Sequence, residues 1–342
     1  MIRVASLQIN SRPFEVAENL ERAKDWIEKA VSAGSKLVVL PEFFNLGYTY
    51  SDRLLEFSEP RDGPTVSWMK ELSASQDIYL AGCLYEKDQD DYFDTLVITT
   101  PDRSALFYRK RHPALWENIY FRPGDTPGVF TTGLARIGVA ICWDVVYRDT
   151  LEGLRGKADL ILVSCAWPSL QIPGAGRLFK GVDWDLRRNA QVAPIRLAEE
   201  LGAPVVFANR SGRFRSQMPF SGLRVSMPFL GQSAVVSAEG KLVKRLGMEE
   251  GMIITEIEIP DRNEVRPDNS EKKKLGGKYI VPVPRVVRTF QSFWERFGRL
   301  MYLSRVRKKT NHKPPGPGSP STAPGINGTN PPPIPDKQKL SD

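Results

Sequence analysis

The chain has 342 residues, 41% apolar and 10% aromatic, enough for one large or two ordinary domains with a sizeable core. No run of about 18 apolar residues offers a transmembrane helix, and three cysteines without a CxxC pair argue against a disulfide framework or a zinc centre. The net charge of +8 is unevenly placed: positions 1–260 carry 31 basic against 33 acidic residues and positions 261–342 carry 17 against 7, so the body is slightly acidic and nucleic-acid binding is not expected.

The opening "MIRVASLQIN" has no basic-then-apolar leader, so a cytoplasmic location is expected. "RVASLQI" and "KLVVLPE" read as strands flanking a helix in which Leu20, Ala23, Trp26, Ile27 and Ala30 share one face. "TVSWMKELSASQ" reads as a second helix and "IYLAGCLYE" as the strand after it. "FDTLVITTP" and "RSALFYRK" read as paired strands joined by a Pro-Asp turn. "RIGVAIC", "ADLILVSCAW", "APVVFANR" and "GQSAVVSAEGKLVKRL" continue the strands, with the helix "WDLRRNAQVAPIRLAEELG" spanning Pro194, and "MIITEIEIP" ends the series. Helices alternating with consecutive strands predict an α/β fold, and about ten strands suit two mixed sheets packed face to face with helices outside.

The composition changes near residue 260, which predicts three units: a body over 1–260, a basic linker and helix over 261–310, and a disordered Pro/Gly-rich tail over 311–342. In the helix, Val286, Phe290, Phe293, Trp294, Phe297, Leu300 and Met301 form one stripe. Such a basic amphipathic helix either docks that stripe on the protein or lies on an anionic membrane surface. "KKK" at 272–274 reads as a solvated run.

Three strand ends carry groups suited to chemistry. In "KLVVLPEFF", Glu42 follows Pro41 in an apolar setting, where it would serve as a partly desolvated base or as an ordinary loop acid. In "LFYRKRHPALWENIYFRPGD", strand alternation turns Lys110 opposite to Arg109 and Arg111, and Glu117 follows in an aromatic-rich turn. An inward lysine would stabilise an oxyanion. In "RIGVAICWDVVYRD", Cys142 ends a strand. By itself it reads as a buried core thiol, and as a nucleophile only with a base or cation beside it. His112 is the histidine available for a Cys-His arrangement, since His312 lies in the tail. Cys83 and Cys165 also end apolar strands and read as core, Cys165 with an option on the site.

"LPEFF", "YRKRHPALWE" and "GVAICWD" together resemble the Glu–Lys–Cys triad of the nitrilase (carbon–nitrogen hydrolase) superfamily. "SCAWP", "FANRSG" and "FLGQSAVVSAEGKLV" extend the likeness over residues 1 to about 260. The resemblance implies a four-layer α-β-β-α fold and assembly into homodimers or larger homo-oligomers. It implies Cys142 as nucleophile, Glu42 as general base, Lys110 with the Trp143 backbone N–H as oxyanion stabiliser, and Glu117 as a supporting acid. Trp143, Asp144 and Trp167 would contact substrate, with no metal or organic cofactor. The implied activity is hydrolysis of a linear amide or N-carbamoyl amine through a thioester. "VVYRD", where many members carry an aromatic-Pro-Glu turn, leaves the substrate subfamily open but not the triad; the alternatives are a nitrilase or an amide-forming acyltransferase and, from a different class, an inactive scaffold with a membrane- or partner-binding tail.

Overall fold

In the computed structural model, which describes residues 1–170, 176–219, 221–260 and 277–310, the chain begins with β1 (Ile2–Gln8), α1 (Val16–Ser32) and β2 (Leu37–Val39). The short α2 (Leu54–Phe57) and α3 (Pro64–Gln76) lead into β3 (Tyr79–Asp88), β4 (Asp91–Thr99) and β5 (Ala105–Arg109). Next come β6 (Val129–Thr131), β7 (Arg136–Ile141), α4 (Arg148–Leu154), β8 (Leu160–Ser164), α5 (Gly176–Leu201) and β9 (Val205–Ala208). The body closes with β10 (Arg213–Gln217), β11 (Arg224–Pro228), β12 (Ala234–Val236), β13 (Leu242–Arg245) and β14 (Gly251–Ile257), before α6 (Arg285–Thr310). Residues 261–276 of the predicted linker, with its lysine run, and the tail over 311–342 lie outside the described residues.

The strands form two six-stranded mixed sheets, ordered β14-β1-β2-β3-β4-β5 and β13-β12-β9-β8-β7-β6, with β10 and β11 as a separate hairpin. At the centre of each sheet run three parallel strands, β1–β2–β3 in one and β7–β8–β9 in the other. Antiparallel partners extend both sides of each sheet.

The central strands read as continuous apolar runs because both of their faces are covered. In β2, Leu37 and Val39 belong to the core between the sheets, whereas Val38 packs with α1 and α3 residues such as Ile27 and Met69. In β3, Ala81 and Cys83 point into the first core and Leu80 and Leu84 into the second, the period of two that a pleated strand imposes. On the far side, Leu151 of α4 and Ala190, Leu197 and Ala198 of α5 cover β7, β8 and β9. The layers are therefore α-β-β-α, as expected.

Several differences have local causes. "GQSAVVSAEGKLVKRL" is two strands, β12 and β13, folded at Ser237–Lys241, where Gly240 takes φ +82° and its N–H donates to the Ser237 carbonyl. The hairpin β10–β11 and the short β6 lift the strand count above ten, since three- to five-residue strands carry too little periodicity to read.

The apolar stripe of α6 is divided. Val287, Gln291, Trp294, Gly298 and Tyr302 face the body, while Val286, Phe290, Phe293, Phe297 and Leu300 are exposed. The docked face is partly polar: Gln291 Nε2 donates to the Pro113 carbonyl, its Oε1 accepts from Leu115 N–H, and Tyr302 Oη donates to Asp91. No helix among the described residues is long and apolar enough to cross a membrane.

Candidate active site

Two turns of the same construction carry candidate residues. In each, an extended residue precedes one at positive φ, then a Trp, then an acid that turns back onto the first backbone N–H. Ala114 precedes Leu115 (φ 45°), and Glu117 Oε2 accepts from Ala114 N–H at 2.6 Å. Ile141 precedes Cys142 (φ 45°), and Asp144 Oδ2 accepts from Ile141 N–H at 3.1 Å. A third positive φ, 54° at Phe43, follows Glu42 directly. Non-glycine residues in this region cost about 1–3 kcal/mol each and persist only where the surroundings dictate them.

The surroundings of Cys142 do so through Asp144. Its Oδ2 also accepts from Tyr108 Oη at 2.9 Å, and its Oδ1 from His112 N–H at 2.8 Å. Both oxygens accept hydrogen bonds from the protein and the residue is fully buried, so Asp144 clamps the turn that presents Cys142. Asp144→Ala leaves two buried donors, Ile141 N–H and Tyr108 Oη, and the half-buried His112 N–H without an acceptor, and is expected to lower stability by about 3 kcal/mol. The urea midpoint measures this; an unchanged midpoint contradicts the clamp.

Beside this turn lies a dry ionic cluster. Lys110 follows β5 and shares the inward face of Tyr108, while Arg109 and Arg111 turn outward to Glu86 and Asp88 and to Asp149. The Lys110 Nζ meets Glu42 Oε1 at 2.6 Å, Glu117 Oε2 at 2.7 Å and Asp94 Oδ2 at 3.1 Å, with all four side chains inaccessible to solvent. Burial alone would lower the Lys110 ammonium, but Glu117, Glu42 and Asp94 hold it well above the ordinary lysine value. It is therefore charged. The three carboxyls lie within 4.8 Å of one another in the manner of a cation site, and the Lys110 ammonium occupies their centre. Tyr48 Oη donates to the remaining Glu117 oxygen at 2.6 Å.

Cys142 lies within electrostatic reach of Glu42, Lys110 and Glu117. A contact with the Cys165 thiol lowers its pKa, yet burial and the charge of Glu42 outweigh this and the net shift is upward. The resting thiol is neutral and needs a base to become a nucleophile. Cys165 is fully buried beside it, its thiol pushed well up by burial; Cys83 packs between the sheets. The His112 ring is committed elsewhere, stacked on Tyr147 at 3.6 Å and bonded to Asp149 at 2.9 Å. Trp143 and Trp167 are buried and pack edge-to-face, with centroids 5.6 Å apart.

Two contributors were not singled out from the sequence. Arg210 is fully buried and donates to the carbonyls of Glu42, Phe43 and Ser11, so it fixes the strained peptide after Glu42; burial brings its pKa down to about 10. Asp94 sits on the inward face of β4 with Leu96 and Ile98, the register of "FDTLVIT". An acid in an inward apolar register was the available signal.

Fold and sequence together place the chain among hydrolases of carbon–nitrogen bonds other than peptide bonds. It belongs to the carbon–nitrogen hydrolase family, whose model matches residues 3–267, and is an amidase-like member of the nitrilase superfamily. It is 28% identical to a nitrilase of Pyrococcus abyssi over 285 residues, covering 80% of this chain and 98% of that one. It is also 28% identical to an omega-amidase of Xenopus tropicalis over 276 residues, covering 77% and 91%. Among solved structures, an amidase variant from Nesterenkonia sp. AN1, with the acetamide moiety of fluoroacetamide on its active-site cysteine, shares the fold at TM-score 0.62 and 22% identity, covering 79% of this chain and 95% of that one.

Proposed function

We propose that the protein hydrolyses a linear amide or an N-carbamoyl amine through a thioester on Cys142. Glu42 takes the thiol proton as Sγ attacks the carbonyl carbon, and the Lys110 ammonium with the Trp143 backbone N–H stabilises the oxyanion. The tetrahedral adduct collapses as ammonia or an amine leaves with the proton from Glu42. A water, deprotonated by Glu42, then opens the thioester and frees the thiol. Glu117 holds Lys110 in place and, through Tyr48, ties it to the aromatic wall of Tyr50 and Phe214. Trp143 and Trp167 border the substrate, and Trp143 Nε1–H, without a partner among the described residues, is free to meet an acceptor on it.

The observation that carries this reading is the hydrogen bond that Lys110 donates to Glu42 inside a solvent-free cluster that acts electrostatically on Cys142. The named activities of the relatives, an omega-amidase and a nitrilase, bracket the same chemistry.

The test is a panel of primary amides, N-carbamoyl amines and nitriles. Wild type is expected to release ammonia from an amide or carbamoyl member. Glu42→Gln is expected to lose turnover of that member by about 10²-fold or more, because both the attack of the thiol and the hydrolysis of the thioester need the base. Wild-type turnover by Glu42→Gln overturns the assignment. Nitrile turnover to carboxylate, or acyl transfer to an added amine outrunning hydrolysis, redirects it to a nitrilase or an acyltransferase.

A further inference from the structure

One ammonium serves three buried carboxyls, and they do not receive equal service. Glu117 is saturated, with Tyr48 Oη on one oxygen and Ala114 N–H and Lys110 on the other. Glu42 has Lys110 on Oε1, and its Oε2 meets no N–H or O–H donor. Asp94 has the longest contact to Lys110, 3.1 Å, and neither of its oxygens has a hydrogen-bond donor. Arg210, another buried cation near Glu42, directs its two terminal guanidinium nitrogens to backbone carbonyls. Burying three carboxylates against so little positive charge is costly, and a buried carboxyl answers that cost by keeping a proton.

Resting on the thiol chemistry proposed above, we propose that Asp94 is a positioning residue: it stays protonated in the working enzyme and donates a hydrogen bond to Glu42, holding that base in its productive orientation. Two carboxyls in contact need one shared proton between them to attract rather than repel. The proton belongs on Asp94, which lies farthest from the ammonium, while Glu42 keeps its short bond to Lys110 and stays able to take the Cys142 proton. The charged and titratable groups facing Asp94 are Glu42 after β2, Lys110 after β5, Glu117 from its turn, and Cys83 and Tyr85 from β3. Burial and the charge of Glu42 raise Asp94 well above the ordinary aspartate range, Lys110 opposing.

Asp94→Asn and Asp94→Ala separate this role from a structural one. An asparagine amide supplies the same donor at every pH, whereas alanine supplies none. With p-nitrophenyl acetate as acyl donor, steady-state release of p-nitrophenolate reports deacylation, the step in which Glu42 activates water. Asp94→Asn is expected to keep most of the wild-type kcat. Asp94→Ala is expected to lose about 10- to 100-fold in kcat with KM little changed. The wild-type alkaline decline in kcat, where Asp94 gives up its proton, should move to higher pH in Asp94→Asn. Infrared difference spectra between wild type and Asp94→Asn at neutral pH should show the loss of one protonated-carboxyl band.

Equal losses in the Asn and Ala variants with an unmoved alkaline decline, or identical infrared spectra, overturn the role of Asp94. If wild type shows no Cys142-dependent release, the thiol reading fails, and the infrared comparison still decides whether Asp94 carries the proton.

Discussion

Replacing Cys142 by alanine is expected to abolish covalent adduct formation and to lower turnover of every substrate by about 10⁴-fold or more, the scale seen when a nucleophile is removed from an otherwise intact site. The loss should be complete in kind, because no other described thiol can take over: Cys165 is buried beside it with its thiol pushed well up, and Cys83 is sealed between the sheets. Cys165→Ala, which removes the contact that lowers the Cys142 thiol, is expected to slow acylation modestly without removing the adduct. Neither change should unfold the protein, since Asp144 and Tyr108 hold the turn at 142 whatever side chain stands there. Ammonia release and intact mass after substrate addition provide the measurement. Equal turnover by wild type and Cys142→Ala would remove Cys142 from the mechanism.

How far the site could be read from sequence depended on the range of the interaction that makes it. That Lys110 shares the side of Tyr108, with Arg109 and Arg111 opposite, follows from strand alternation alone; that this side is the inward one comes from the packing. The two cores follow from runs such as "KLVVL", whose adjacent residues are all buried because helices cover one face and a second sheet the other. Asp94 was legible in principle from its register with Leu96 and Ile98, but the segment reads first as an ordinary strand. The clamp made by Asp144 was not legible for a different reason. The carboxylate that clamps Ile141 N–H depends on a positive φ at Cys142, and nothing in a row of letters reports φ at a non-glycine residue. The parallel between "ALWE" and "ICWD" becomes meaningful only once both turns are seen. Arg210 reaches Ser11 across 199 positions of sequence, a distance over which pattern reading is silent. In α6, periodicity revealed an apolar face but not which face would dock, because Gln291 and Gly298 were more use to the 115–119 turn than phenylalanine.

Lys110→Met should produce the second large effect, and its pH dependence tests the cluster as a whole. Methionine matches the stem but removes the charge at the centre of Glu42, Asp94 and Glu117, all fully buried. Removing one partner of a buried ionic group costs about 3–5 kcal/mol near neutral pH, since the remaining charges have neither water nor counter-ion. Asp94 and Glu117 are raised above their ordinary values even with Lys110 present, and without it they rise further. A carboxyl raised in the folded state keeps its contribution to stability below its unfolded pKa and loses it as pH climbs through the folded one. The variant should therefore be least stable under alkaline conditions and should approach wild type on acidification. Urea unfolding compared at about pH 8 and about pH 5 measures the gap, which is expected to narrow at the lower pH. Turnover by whatever variant remains folded should fall by about 10²–10³ in kcat, as for removal of an oxyanion donor. A stability gap that stays constant across that range would mean that Lys110 does not neutralise Glu42 and Glu117, the carboxylates left charged while Asp94 keeps its proton. The site would then have to keep them quiet by protonation alone, in which case Glu42 could not serve as the base that Cys142 requires.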